Sequence, residues 1–289
     1  MFDPADDIRK NSNLAGFLTH SGTDTYEDLL ERSNADPDWF WSKIIDLAGI
    51  RFSHPFHTLR DFTGGPENIR WATGATLNLT QTCLDARIDL GLGGKTAIDW
   101  VAEDGTTRSW TYNDLAEQSA RVAGALAARG IGAGDAVGIY MPMIPEIAAA
   151  FLGIARLGAI AVPLFSGFSA PAITARLNDS NARAVLTVDA SPRRGKPVAM
   201  ERTLVSAIDD LPLVQTVISL RRFGGTSADP ARDLDWHDTI AAADPTFPAA
   251  PVDAAGPLMI AYTSGTTGRP KGVVHTHLGV QAKATTDFL

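Results

Sequence analysis

The sequence predicts an α/β protein with a mostly parallel β-sheet flanked by helices on both faces. Three observations carry this. From Lys95 to Tyr262 short apolar runs alternate with longer amphipathic ones, the pattern of strands joined by crossover helices. One of those runs, Ala159–Phe165, is apolar throughout, as a strand covered on both faces should be. The last run, Leu258–Tyr262, opens into a loop of glycines and hydroxyls, and ligands in such folds sit at the carboxyl ends of strands.

In chain order, residues 1–24 show no clear period and are expected to be irregular. Thr25–Ser33 and Asp36–Gly49 read as helices; Asp36 caps the second, Pro37 fits its first turn, and Trp39, Phe40, Ile44 and Leu47 share one face. Arg51–Asp89 is loop-rich. Thr96–Val101 and Thr107–Trp110 form a hairpin across Glu103-Asp104-Gly105. Thr111–Arg129 is a helix with Thr111 as cap, Asp114 at the capping-box position and Gly130 as its stop. Strands then follow at Ala136–Met141, Ala159–Phe165, Ala184–Asp189, Leu213–Leu220 and Leu258–Tyr262. Helices fall between them at Pro145–Leu157, Pro171–Asp179 and Arg202–Asp209. Arg221–Ala255 is a Gly- and Pro-punctuated excursion with one helix, Trp236–Ala242. Two domains are expected: a helical and loop-rich lead-in over 1–94, and an α/β subdomain over 95–289.

Composition narrows the function classes. The chain has 289 residues, 45% hydrophobic content and a net charge of -8, which argues against a nucleic-acid partner. Cys83 is the only cysteine, so no internal disulfide can form; it reads as a small buried apolar residue. Met1–His20 is polar and acidic, unlike a secretory signal. Ile147–Phe165 is nearly all apolar but contains Arg156, Gly158 and Pro163. A buried helix followed by a buried strand suits it better than a membrane span. A cytoplasmic protein with no membrane contact is the expectation.

The chemistry concentrates in one loop. Thr263, Ser264, Gly265, Thr266, Thr267 and Gly268 carry four hydroxyls and two glycines. Glycines let backbone N–H groups approach an anion closely, and the hydroxyls add donors. Pro270 stiffens the exit and Lys271 adds a cation. The set suits a polyphosphate. It is not the common P-loop, which has four residues between its glycines and then Lys-Ser/Thr. His275 and His277 follow two apart without a carboxylate or thiolate partner, too few ligands for a metal, and a packing or hydrogen-bonding role is expected.

Tyr262-Thr-Ser-Gly-Thr-Thr-Gly-Arg-Pro-Lys-Gly272 resembles the phosphate loop of the AMP-forming adenylating enzymes, a family that includes acyl-CoA synthetases, peptide-synthetase adenylation domains and luciferases. Trp71–Asp85 resembles the Trp-x-x-Gly-x-x-Leu-Asn…Cys-Leu-Asp segment of acetyl-CoA synthetases and their short-chain relatives. Phe165-Ser-Gly-Phe-Ser169 is similar to the turn where those enzymes bring a backbone glycine to coenzyme A, so Gly167 takes that place. Arg193-Arg-Gly-Lys196 resembles their Arg-x-Gly-Arg stretch for the nucleotide end of the coenzyme, with Lys196 where arginine is usual. Lysine keeps the charge but loses the planar fork.

The resemblance covers most of 36–289. It implies an ATP-dependent, Mg²⁺-assisted carboxylate–CoA ligase for a short-chain acid: the carboxylate attacks the α-phosphorus of ATP, and coenzyme A then displaces AMP. The loop would hold the β- and γ-phosphates. Such synthetases run much longer, so the chain is expected to be an N-terminal portion, inactive alone, stopping inside a helix at Phe288-Leu289. The groups that grip adenine and ribose, shape the acyl pocket and supply a catalytic lysine are expected beyond Leu289. No residue here is assigned a catalytic role. A non-catalytic nucleotide- or CoA-binding module remains the alternative. A dinucleotide oxidoreductase is set aside because no Gly-x-Gly-x-x-Gly follows the first strand.

Overall fold

The computed structural model describes residues 5–288 except 194, 225–228, 230 and 264–269, and not the Arg193 side chain. Its contacts divide into two compact units. One is Met1–Leu77 with Asp253–Gly256 and Thr276–Leu289; the other is Asn78–Val252 with Pro257–His275. This partition differs from the one expected at 94/95.

The first unit opens with α1 (Asp6–Asn11) and α2 (Asn13–Ser21), where the sequence led us to expect irregular chain. The correction has a local cause. Ser12 Oγ accepts from the Ala15 N–H at 3.1 Å, and Gly22 closes α2 in the left-handed region at φ 73°. Phe17 is wholly buried against Leu29 and Ile44. α3 (Tyr26–Ala35) and α4 (Pro37–Ala48) follow as expected, each with a side-chain cap, from Thr25 and Asp36. Short strands β1 (Phe52–His54), β2 (Thr58–Asp61), β3 (Arg70–Thr73) and β4 (Thr76–Leu77) occupy part of the loop-rich stretch; β1 pairs with β4 and β2 with β3.

The second unit begins at Asn78 and contains the large sheet. β5 (Thr96–Val101) and β6 (Thr107–Thr111) form the expected hairpin, and α5 (Tyr112–Ala127) starts on a complete Thr111/Asp114 capping box. Then come β7 (Ala136–Tyr140), α6 (Pro145–Leu157), β8 (Ile160–Pro163), α7 (Ala170–Asp179) and β9 (Ala184–Val188). A hairpin of β10 (Ala190–Arg193) and β11 (Lys196–Ala199) comes next, then α8 (Met200–Ile208), β12 (Thr216–Leu220), β13 (Asp233–Asp235), α9 (Trp236–Ala241) and the two-residue β14 (Val252–Asp253). β15 (Pro257–Thr263) and β16 (Lys271–Thr276) complete the sheet. The chain then returns to the first unit as α10 (His277–Asp287), which packs on α4. Phe288 lies past the end of α10 as its C-cap residue.

Among the described residues the sheet has seven strands in the order β13-β12-β9-β7-β8-β15-β16, and every pair from β13 through β15 is parallel. Every residue of β7, β9 and β12 is buried. A sheet interior this dry needs cover on both faces, and the helices supply it in two packed groups, α5 with α6 and α9, and α7 with α8. The alternation read from the sequence is therefore the fold. Ile147–Phe165 is α6 and β8, and no described helix is long and apolar enough to cross a membrane.

Candidate functional site

Parallel strands put all their carboxyl ends on one edge. The loops that leave this edge follow Tyr140, Pro163, Val188, Leu220 and Thr263. Gly167, Arg193, Lys196, Thr263 and Lys271 lie on or beside the loops that follow Pro163, Val188 and Thr263.

The turn after β8 contains Gly167. The Phe168 N–H donates to the Phe165 carbonyl at 2.9 Å, closing the turn around Ser166 and Gly167. A Cβ on Gly167 would come within 2.7 Å of the Phe165 ring, so glycine lets the ring fold over the backbone. From beneath, the buried Tyr140 hydroxyl reaches the Ser166 carbonyl at 3.3 Å.

The β10–β11 hairpin carries the basic cluster, in a stretch where the sequence reading places no element. Two prolines, Pro192 and Pro197, face each other across it, and Gly195 turns the tip at φ 75°. Arg193 and Lys196 are register partners at that tip, so the pair expected to share one ligand is adjacent in the backbone. The root is fixed by Asp189, 5% exposed, whose carboxylate accepts from the N–H groups of Ala190, Arg222 and Phe223 at 2.7–2.9 Å. This ties the hairpin to the end of β12.

Two clefts meet at this edge. A cavity of about 370 Å³ is lined by Gly167, Phe165, Tyr140 and Val198. A larger one of about 690 Å³ is lined by Lys196, Trp100, Arg108 and Arg222. Glu103 and Pro192 line both, so Gly167 and Lys196 face adjoining parts of one concave surface. Arg108 is held by a two-point pair with Glu146 at 2.6 and 2.8 Å, over the Trp100 ring. That pairing satisfies Arg108, whereas Lys196 is exposed at the hairpin tip and keeps its charge facing solvent.

Of the expected phosphate-binding residues, Thr263 ends β15 and Lys271 begins β16; both are exposed. Ser264, Gly265, Thr266, Thr267 and Gly268 lie outside the described residues. The two legs of the loop are adjacent strands, drawn close because Gly272 has no side chain. A Cβ there would come within 2.8 Å of Ile260 Cγ2 and 3.3 Å of the Tyr262 ring.

Sequence reasoning missed three side chains beside this loop. The Tyr262 hydroxyl donates to Asp179 Oδ2 at 2.6 Å. Burial, reinforced by the Asp179 carboxylate, pushes the Tyr262 phenol up. Arg176, 8% exposed, lies with its guanidinium carbon 4.2 Å from the Phe168 ring centre and 5.8 Å from that of Tyr262. No spacing rule joins 168, 176 and 262; only the parallel pairing of β8 with β15 brings them together.

The remaining candidates are structural. Among the described residues no group of three His, Cys, Asp or Glu could hold a metal. His277 is wholly buried and burial lowers its imidazole to about 4, in keeping with the expected packing role. Cys83 is partly buried, and burial followed by the Asp85 carboxylate pushes its thiol up to about 12, leaving it unreactive as a thiolate.

Known proteins share both parts of the chain. The family model for AMP-binding enzymes matches residues 91–288, and that for the acetyl-coenzyme A synthetase N-terminus matches 26–83. The acetyl-coenzyme A synthetase of Sodalis glossinidius is 40% identical over 269 residues, which is 91% of this chain and 41% of that protein. The Vibrio cholerae acetyl-coenzyme A synthetase is 39% identical over 277 residues, 93% of this chain and 42% of the other. Among solved structures, acetoacetyl-CoA synthetase from Streptomyces lividans superposes with a TM-score of 0.88 at 27% identity, covering 98% of this chain and 44% of its own. The chain thus spans about two-fifths of the length of the curated relatives it matches.

Proposed function

The chain belongs to the family of AMP-binding enzymes, and from that premise we propose that it forms the N-terminal portion of an ATP-dependent ligase joining a short carboxylic acid to coenzyme A. The observation that carries the reading is the shared edge. The phosphate loop, the Gly167 turn and the Arg193/Lys196 hairpin follow the carboxyl ends of β15, β8 and β9, which run parallel in one sheet. A reaction in which ATP and a thiol act on one acyl group needs both sites on one side of the sheet.

In this reading Thr263, Ser264, Gly265, Thr266, Thr267, Gly268 and Lys271 hold the β- and γ-phosphates. Their part is to stabilise charge as pyrophosphate leaves, which is most of what phosphoryl chemistry asks of a protein. Coenzyme A lies along the double cleft, with its chain over Gly167 and its phosphates toward Arg193 and Lys196. Mg²⁺ would ride on the nucleotide phosphates, since no described cluster offers it a cage, and no step is assigned to it. The partition into a helical and loop-rich lead-in over 1–94 and an α/β subdomain over 95–289 belongs to the same proposal. Cytoplasmic placement is likewise proposed, supported by the single inert cysteine.

The test is exchange of labelled pyrophosphate into ATP by the polypeptide that reads through Leu289, with acetate, propionate or acetoacetate. Acid-dependent exchange followed by thioester formation is expected. A folded protein that binds ATP or coenzyme A but exchanges with none of the acids would instead be a non-catalytic binding module.

A further inference from the structure

The Gly167 turn and the phosphate loop would serve different half-reactions, yet one buried cation touches the foot of each. We propose that Arg176 is a positioning residue that ties the coenzyme turn to the phosphate loop, so that the two half-reactions share one mechanical support. This rests on the functional reading above for what the two loops bind.

Arg176 projects from the middle of α7, which follows the Gly167 turn directly. Its guanidinium carbon sits 4.2 Å from the centre of the Phe168 ring, inside the turn, and 5.8 Å from that of Tyr262, the residue before Thr263. Both distances are within reach of cation–π attraction, which strengthens when the cation is desolvated. Nη1 donates to the Ala172 carbonyl at 2.7 Å, which anchors the head to its own helix. Nε is buried without a hydrogen-bond partner among the described residues. A buried guanidinium that leaves a donor unused is costly for a residue that serves packing alone. Here the two aromatic faces are what hold it in place.

Further contacts make the arrangement a closed ring of constraints. Tyr262 is tied to the end of the same helix through Asp179 at 2.6 Å, so α7 grips the phosphate-loop strand at two points, Arg176 and Asp179. The turn is gripped by Arg176 through Phe168 and by Tyr140 through the Ser166 carbonyl. A shift of the turn therefore reaches Tyr262 through the Arg176 guanidinium as well as through the helix itself.

The experiment uses the longer polypeptide with Arg176→Gln, Arg176→Lys and Phe168→Leu. In the wild-type protein, pyrophosphate exchange reports the phosphate loop, and the KM for coenzyme A with supplied acyl-adenylate reports the turn. Arg176→Gln is expected to slow exchange about tenfold and raise that KM about tenfold, the scale of a desolvated cation–π contact of about 1–2 kcal/mol. Arg176→Lys, which keeps the cation, is expected to recover part of both. Phe168→Leu lies on the coenzyme side and is expected to slow exchange as well; this cross-effect does not arise if Arg176 only stabilises α7. Loss confined to one half-reaction, or loss of both without recovery in the lysine variant, overturns the proposal.

Amide hydrogen exchange without substrates separates this claim from the functional reading. Removing Arg176 should speed exchange in both 165–169 and 259–263 and leave 190–199 unchanged. If that holds but the wild-type protein makes no adenylate, the activity assignment falls and the tie between the loops stands. If neither segment changes, the tie is refuted whatever the activity.

Discussion

Lys271 and His277 lie six residues apart and answer to different physics. Lys271 is exposed at the head of β16, free to meet a phosphate. In the proposed enzyme Lys271→Ala removes one preorganised cation and should lower pyrophosphate exchange by about 10²–10³. Thioester formation from supplied acyl-adenylate should change little, because pyrophosphate has already gone. Equal loss in both assays would remove the pyrophosphate-specific role. His277, by contrast, is wholly buried and its imidazole is lowered from 6.5 to about 4. The unfolded chain then binds a proton that the folded one refuses between those values, so stability is full above pH 6.5 and falls as pH drops toward 4. The upper bound of that loss is about 3 kcal/mol. Melting temperature followed from pH 7 to pH 5 should decline in the wild type and decline less in His277→Gln. The loop was legible in the sequence because its chemistry is local, hydroxyls and glycines in a row. A packing role for His277 could be expected, but not its complete burial, because that depends on where α10 docks.

Helices α5 and α6 meet at Gly153. A Cβ there would come within 2.6 Å of both Val122 Cβ and Cγ1 and 2.8 Å of the Ser119 carbonyl oxygen. None of these atoms is the far end of a flexible chain, so the helices would have to separate. Alanine gains about 1 kcal/mol of helix propensity over glycine, but overpacking costs about 1–3 kcal/mol. Gly153→Ala should therefore be destabilising on balance, by up to about 2 kcal/mol in urea unfolding; a more stable variant would show that the two helices have slack. The ends of these helices could be read in advance, since Thr111, Asp114, Pro145 and Gly158 are capping signals with local causes. Their contact could not, because nothing in the sequence says which glycine faces which valine. The β10–β11 hairpin escaped for a related reason. Pro192, Pro197 and Gly195 are loop residues by propensity, and the hairpin persists because Asp189 pins its root.

At the scale of the whole molecule, Asn78 joins three segments that are distant in sequence. It is wholly buried; its amide donates to the carbonyls of Ala155 and Ala250, each at 2.8 Å, while its oxygen accepts from the Thr80 N–H and hydroxyl. Asn78→Ala would strand buried acceptors at about 1–3 kcal/mol each, so a loss of about 3 kcal/mol is expected in chemical denaturation. Asn78→Asp should be worse, since it aims a carboxylate at carbonyl oxygens; a milder effect than alanine would contradict the assigned donor role. The sheet order could be anticipated only in outline: alternation predicts parallel strands, but not that β15 inserts beside β8.

β16 forms one edge of that sheet, and Val273 and Val274 are 45% and 53% exposed, one on each face. An outer strand with apolar side chains on both sides is a template for recruiting another strand. For residues 1–289 produced alone, the consequence is colloidal: association should grow with concentration, and Val274→Lys, a charge on the rim, should suppress it. Light scattering across a dilution series would read this directly, and a wild-type chain that stays monomeric at high concentration would mean the edge is guarded by its own twist.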